Sequence, residues 1–404
     1  RWTDGLHRDP PHGIRPPPSI SYYRELLMLS PDEERDLGEY LRALFSNSGE
    51  SFLESISELE VPSPYKVRAK ILYSPISPIQ VVNRLVEAKV LDRLSDSNSY
   101  SWVETVGRKV RRQVRSVFHM ASFPQSISEK VSALISVCTR EQWHSCTRLI
   151  ARQYPEIVPI LLSQAELIQS AKSLRSVAKH EVRVRSLSAK EATPDETGRR
   201  KSVREWTDEH LDDVILSVQE RSQVVTSLDV EFFPRLGNAT HIVPRAGCKI
   251  RKGGELEVTG SFRLAFDTVA SHVARVGEHK LAFLSNRGLR ENSYKPRPIS
   301  IDFAKPVFDE TENVRSLVSQ LASYPHSIHS VQHGNPYGHV RIADMFDGSS
   351  FDVWAIPPQR LALMPGLKAT EAAMERLVHY VFDSFREGDL SDYGGAGKPE
   401  RSSA

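Results

Sequence analysis

Along the last ninety residues, short runs of alternating apolar and polar positions are separated by turn chemistry, and one long amphipathic segment closes the series. His326–His333 reads as a strand, Gly334 to Gly338 as a turn, and His339–Phe346 as the next strand. The turn Asp347 to Ser350 leads into Phe351–Ile356. Pro357 to Gln359 then leads into Arg360–Met364, completing a meander. Lys368–Glu387 repeats apolar residues at helical spacing (Met374, Leu377, Val378, Val381, Phe382, Phe385) and stops at Gly388. Four antiparallel strands under one helix make an α+β module, and a meander of this size needs one covered face to be stable.

Upstream, strand patterns recur at Val224–Phe233, Thr240–Pro244, Cys248–Arg251, Leu256–Phe266, Lys280–Ser285 and Pro298–Phe303, with helices expected at Asp208–Gln219, Thr268–Val276 and Asn313–Ala322. From Ser21 to about Ser170 the spacing is mainly helical. Ser30-Pro31-Asp32-Glu33 has the chemistry of a helix start before Glu34–Phe45. Val106–His119, Ser126–Cys138, Glu141–Arg152 and Ile157–Leu174 follow as expected helices. The organisation expected is a disordered Pro-rich segment over 1–19, a helical domain over 20–171 and a linker over 172–206. An antiparallel α+β domain over 207–392 and a disordered tail over 393–404 complete it.

Composition narrows the classes. A length of 404 residues implies two or three domains, and 39% hydrophobic residues suffice for soluble cores. No apolar run reaches the roughly 18 residues of a membrane span. The chain opens Arg1-Trp2 with no initiator Met, as a trimmed or processed chain would. Its three cysteines, Cys138, Cys146 and Cys248, form no disulfide framework, which points to an intracellular setting, nucleus or cytoplasm. With 53 basic and 51 acidic residues the net charge is only +2, so any nucleic-acid surface must be a local patch.

Two such patches stand out. Gly107–Arg115 holds Arg108, Lys109, Arg111, Arg112 and Arg115; on a helix the arginines would form one stripe opposite Val106, Val110, Val114 and Val117. Residues 172–204 carry ten Lys or Arg, Arg199, Arg200 and Lys201 among them, against four acids, and read as a mobile basic linker. Between Ser77 and Leu94, Ser77-Pro78 starts a helix with Ile79, Val82, Val86 and Val90 on one face. Gln80, Asn83, Arg84 and Glu87 occupy the other, and a short strand, a polar loop and Tyr100–Val103 follow. Helix, strand, loop, strand over Tyr65–Val103 resembles the winged variant of helix-turn-helix. That resemblance implies Gln80, Asn83 and Arg84 as base-reading side chains.

Catalytic chemistry finds less support. His326, His329, His333 and His339 could converge on a hairpin as metal ligands, with Asp344 or Asp347 adding a carboxylate, but no known zinc spacing is present. Gly253-Gly254 is a hairpin turn rather than a phosphate loop. Asp229 with Glu231, and Glu255 with Glu257, read as the wet face of an antiparallel sheet. The expectation is therefore an α+β protein: a helical N-terminal domain with a winged-helix-like element, then an antiparallel sheet of TATA-binding-protein-like or ferredoxin-like form. Its expected function is a non-enzymatic, nucleic-acid-associated subunit of a larger assembly. The helical domain and basic linker would contact DNA or RNA, and the C-terminal sheet would dock a protein. No cofactor and no membrane contact are expected. A protein scaffold without nucleic acid is the alternative, and a metal-dependent hydrolase using the His326–His339 hairpin comes third.

Overall fold

A computed structural model describes residues 43–46, 49–59, 65–94, 98–106, 112–123, 129–153, 157–178, 180–191, 202–221, 223–234, 246–285, 287, 296–333 and 337–394. The segments 1–19 and 395–404, most of the expected helix Glu34–Phe45, and the expected strand Thr240–Pro244 lie outside the described residues.

The fold is α+β, with two antiparallel sheets. The larger sheet opens with Lys66–Tyr73 (β1), followed after the helix Pro78–Glu87 by Asp92–Arg93 (β2), Ser99–Val106 (β3), Arg112–Ser122 (β4) and Val131–Cys138 (β5). Val158–Pro159 (β6) adds a short pairing on β1, and His180–Glu191 (β7), Ser202–His210 (β8), Gln223–Pro234 (β9), Ala246–Arg251 (β10) and Glu255–Gly260 (β11) complete it. The eleven strands run β2-β3-β4-β5-β1-β11-β10-β9-β7-β8, with β6 beside β1. The smaller sheet holds Ile299–Asp302 (β12), Ser327–His333 (β13), Gly338–Asp344 (β14), Ser350–Ile356 (β15), Arg360–Pro365 (β16) and Asp389–Asp392 (β17), in the order β13-β14-β15-β16-β12-β17.

The helices are Gly49–Ser57 (α1), Pro78–Glu87 (α2), Arg140–Gln153 (α3), Gln164–Ala178 (α4), Leu211–Glu220 (α5), Phe262–Ala265 (α6), Ser271–Leu284 (α7), Thr311–Ala322 (α8) and Glu371–Ser384 (α9). A π-helical turn, Phe266–Ala270, joins α6 to α7. Three apolar clusters follow from this arrangement. One face of the large sheet packs its alternate residues (Val67, Ala69, Ile71 on β1; Val230 and Phe232 on β9) against Phe52, Leu167, Val214, Phe262 and Phe266 of the helices. The opposite face, over β1 and β3–β5 only, packs Tyr100, Phe118 and Leu134 against α2 and α3 through Val82, Leu85 and Trp143. The small sheet packs Val340, Ile342, Val353 and Leu363 against α8 and α9.

The C-terminal meander matches its expected strands to within two residues at every end. Its helix is the expected cover: Thr370 caps it by accepting from the Ala373 N–H at 3.2 Å, and Met374, Leu377, Val378, Val381 and Phe382 are buried. The turn read at Gly253-Gly254 is also present. Gly254 has φ +65, and a Cβ there would stand 2.7 Å from the Ile160 carbonyl oxygen, so only glycine fits.

The N-terminal half corrects the reading of a helical domain over 20–171. Within the expected helices Val106–His119 and Ser126–Cys138, Val106 ends β3, residues 112–119 lie in β4 and Val131–Cys138 forms β5. Val131–Cys138 is buried at every position because β5 lies inside the sheet with both faces covered. A continuous apolar run has no period that separates it from a buried helix. Lys280–Ser285, expected as a strand, is mostly the end of α7, and the strand expected over Leu256–Phe266 stops at Gly260 before α6.

The described residues of the basic linker over 172–206 lie in regular elements: α4 runs to Ala178, and β7 and β8 pair with each other along Arg183–Lys190. Residues on both sides of it share one sheet, so it does not separate two independent units. The helix–strand–loop–strand order of the winged reading is present, with β2 pairing β3 (Asp92 opposite Ser101). However, α2 follows strand β1, and β3 continues along β4 inside the large sheet.

Candidate functional site

Among the described residues, the second face of the large sheet has no apolar cluster across β11, β10, β9, β7 and β8. There the alternate residues are charged, and the sign changes from strand to strand. β1 presents Lys66 and Arg68, β11 Glu255 and Glu257, β10 Lys249 and Arg251, and β9 Asp229 and Glu231. Registry puts Arg68 opposite Glu257, Glu257 opposite Lys249, and Lys249 opposite Asp229. Ion pairs cross these rows: Lys66 and Arg68 to Glu257, and Arg251 to Glu255 at 2.6 Å and to Glu257 at 3.6 Å. Opposite charges facing each other across antiparallel strands stabilise the pairing. Desolvation alone would raise the Glu257 carboxyl, but the Lys66 hydrogen bond and the charges of Arg68, Lys66 and Arg251 hold it below the usual carboxylate range. Burial, then the neighbouring guanidiniums of Arg251 and Arg204, lower the Lys249 ammonium.

The alternation ends at the outer edge, where arginines of β7 and β8 are adjacent, although β8 also carries Glu205, Asp208 and Glu209. β7 carries Arg183 and Arg185, and β8 carries Arg204. Arg185 reaches Glu231 at 3.6 Å, and Arg183 is held by Glu181 at 2.7 Å and by Asp208 at 3.8 Å. Arg204 has no carboxylate partner among the described residues; its guanidinium lies 4.5 Å from the centre of the Trp206 ring, which is 63% exposed. Arg183 stands over Phe233 in the same way, at 5.2 Å. The edge therefore combines arginines with aromatic faces, a combination suited to planar anionic ligands. The carboxylate pairs Asp229/Glu231 and Glu255/Glu257 lie on this polar face, as expected. Trp206, Arg204 and Lys249 had no signal in one dimension beyond alternation, because their common face exists only once five strands are in register.

The residues singled out from the sequence are dispersed. Gln80 and Arg84 are exposed on α2, whereas Asn83 is half-buried and its Oδ1 accepts the Tyr100 hydroxyl at 2.8 Å. Arg115 is exposed on β4, on the sheet face opposite α2, and its Nη2 donates to Ser101 Oγ at 3.4 Å. Arg112 begins β4. Arg108, Lys109, Arg111, Arg199, Arg200 and Lys201 lie outside the described residues. β4 and β8 are seven strand spacings apart, about 34 Å, so the two basic segments cannot form one compact patch.

The histidine hairpin does not assemble a metal site among the described residues. His326 packs on Phe346 and His329 faces solvent. His339 donates to or accepts from Asp352 through Nε2 at 2.9 Å while stacking 3.7 Å from Trp354. Ser99 and His119 form a hydroxyl–imidazole pair at 2.9 Å, but both are buried, and the imidazole lies 4.1 Å from the Phe52 ring. Desolvation lowers His119 to about 4. It is a neutral core residue, closed to substrate. The three cysteines are buried, and desolvation pushes the Cys138 thiol up to about 12. Glu375 on α9 is buried with Oε2 unpartnered, and burial raises its carboxyl. No described helix is long and apolar enough to cross a membrane.

No family model matches this chain, and no curated protein matches it.

Proposed function

We propose that the protein is a non-catalytic, nucleic-acid-associated subunit of a larger assembly, which contacts DNA or RNA along the β7–β8 edge and docks a protein through the six-stranded sheet. The observation that carries the nucleic-acid half is the end of the charge alternation where Arg183 and Arg185 of β7 stand beside Arg204 of β8, whose guanidinium lies over the exposed Trp206. In sequence, Arg199, Arg200 and Lys201 lie between those two strands. Lysine and arginine neutralise phosphates without sequence preference, and an exposed indole stacks on any unpaired base. Gln80, Arg84 and the basic run from Arg108 to Arg115 belong to this reading as separate, more distant contacts. An intracellular setting, nucleus or cytoplasm, goes with it.

A protein scaffold without nucleic acid is the second reading. The ion-paired rows of β1, β11, β10 and β9 favour it, because they leave little net charge over most of the face. Fluorescence-anisotropy titration of labelled single-stranded and duplex oligonucleotides over a salt series separates the two. The first reading expects log Kd to rise linearly with log salt, and expects R183E/R185E/R204E to weaken binding and flatten the slope. Absence of binding at about 50 mM salt overturns it in favour of the scaffold.

A further inference from the structure

Four strands form the ends of the two sheets, and three of them are short or charged, which resists pairing with another chain. β2 is two residues long. β8 holds Arg204, Glu205, Asp208 and Glu209 among its nine residues. β17 has four residues and both ends are Asp. Shortness and charge are how natural sheets blunt an edge, whose free N–H and C=O groups would otherwise template a further strand. β13 has neither. Its seven residues, Ser-Ile-His-Ser-Val-Gln-His, include no Lys, Arg, Asp, Glu or Pro, and Ile328 and Val331 are 62% and 46% exposed. Large exposed apolar side chains also stand at its two ends. Met345 and Phe346 lie beside its start, where the Met345 N–H donates to the His326 carbonyl at 2.9 Å and the Phe346 ring packs on His326. Tyr337 lies past its last residue.

We propose that β13 pairs with β13 of a second copy of this chain, antiparallel about a two-fold axis normal to the sheet, joining two six-stranded sheets into one. Such an axis keeps each face of the sheet on its own side, so facing residue numbers sum to an even value and one residue faces itself. Centring on Ser330 gives the longest overlap, with His329 opposite Val331 and Ile328 toward Gln332. In this arrangement every strand residue meets its own counterpart sequence, so a charged strand sets like charges near one another, at a cost. The uncharged β13 avoids that cost. The same operation brings the Met345–Phe346 end of each copy against the Tyr337 end of the other, so the exposed apolar groups at both ends are covered twice over. The contact is isologous and closes at two copies. It names the partner for the protein-docking half of the reading above and is independent of the nucleic-acid half.

Sedimentation equilibrium of the full chain without nucleic acid tests it. The expected mass is twice the 45.5 kDa of one chain. I328K/V331K is expected to raise the dimer dissociation constant at least tenfold while its melting midpoint, measured at low concentration, stays at that of the wild type. Self-facing residues in an antiparallel pair have Cα atoms about 4.5–5.5 Å apart, within disulfide reach. S330C is therefore expected to form a covalent dimer under mild oxidation, the three native cysteines being buried. A wild-type mass of one chain at every concentration overturns the proposal, as does a dimer whose constant is unmoved in I328K/V331K. Failure of S330C to cross-link overturns the Ser330 register. None of these failures bears on the oligonucleotide titration, which stands or falls separately.

Discussion

The two sheets handle the same problem in opposite ways. The eleven-stranded sheet has protected edges, one short and one charged, and leaves part of a face polar across five strands. The six-stranded sheet packs its inner face under α8 and α9 and leaves one long edge with no charge on it. A face offers side chains, so what it selects depends on their charge and shape. An edge offers backbone hydrogen bonds, so what it selects is an extended strand, with side chains adjusting register. The large sheet is accordingly the place to look for a charged or planar ligand, and the small sheet the place to look for another strand.

The strongest way to break this comparison is to remove the cover of the small sheet. Phe382 is 4% exposed in the core beneath α9, so Phe382→Ala is expected to cost about 3–5 kcal/mol in a denaturant melt of the full chain. An unchanged midpoint would mean that α9 is not the small sheet's essential cover.

Next comes the buried imidazole of the large sheet. His119 is depressed to about 4 by burial, below the ordinary value near 6.5, so the folded state holds it neutral while the unfolded chain takes up a proton. Stability from this group is complete above about pH 6.5 and is lost as pH falls toward 4, by about 3 kcal/mol in all. His119→Gln is expected to flatten that part of the stability–pH curve. A wild-type curve with no slope between those values contradicts a neutral, sealed His119.

The charged edge gives a smaller effect. R183E/R185E/R204E is expected to weaken oligonucleotide binding at least tenfold, about 1.4 kcal/mol, whereas Arg115→Glu, on the opposite face, is expected to change it less than twofold. Equal losses in both would disperse the binding surface over the whole sheet.

The smallest expected effect is none. A protease site inserted between residues 192 and 201, once cut, should leave both pieces co-eluting, because β7 and β8 pair with each other and β7 with β9. Separation of the pieces would restore the linker reading of 172–206.

What was legible from the sequence follows the kind of signal each segment carries. The meander and α9 could be read because each strand has one buried and one wetter face, which writes a period of two, and the helix has one apolar stripe, which writes a period near 3.6. β9 and the carboxylate pair on it, Asp229 and Glu231, were legible for the same reason. β5 was not, because helices cover both its faces and erase the period. The arginines near Arg115 misled, since Val110, Val114 and Val117 fit a helical repeat, while the strand β4 sends Val114 and Phe118 to one face and Arg115 and Val117 to the other.

The sequence by itself determined the mixed α+β class, the small sheet's strands and cover, and the wet character of Asp229, Glu231, Glu255 and Glu257. Only the tertiary structure decided that residues 180–191 and 202–206 belong to a sheet, that Arg183, Arg204 and Trp206 share an edge, and that β13 is the uncharged edge strand. The reason is that alternation within one strand is local, whereas a charged row or a free edge is set by which strands lie side by side. Strands as distant in sequence as β1 and β11, paired from Val67 to Val258, are neighbours only in space.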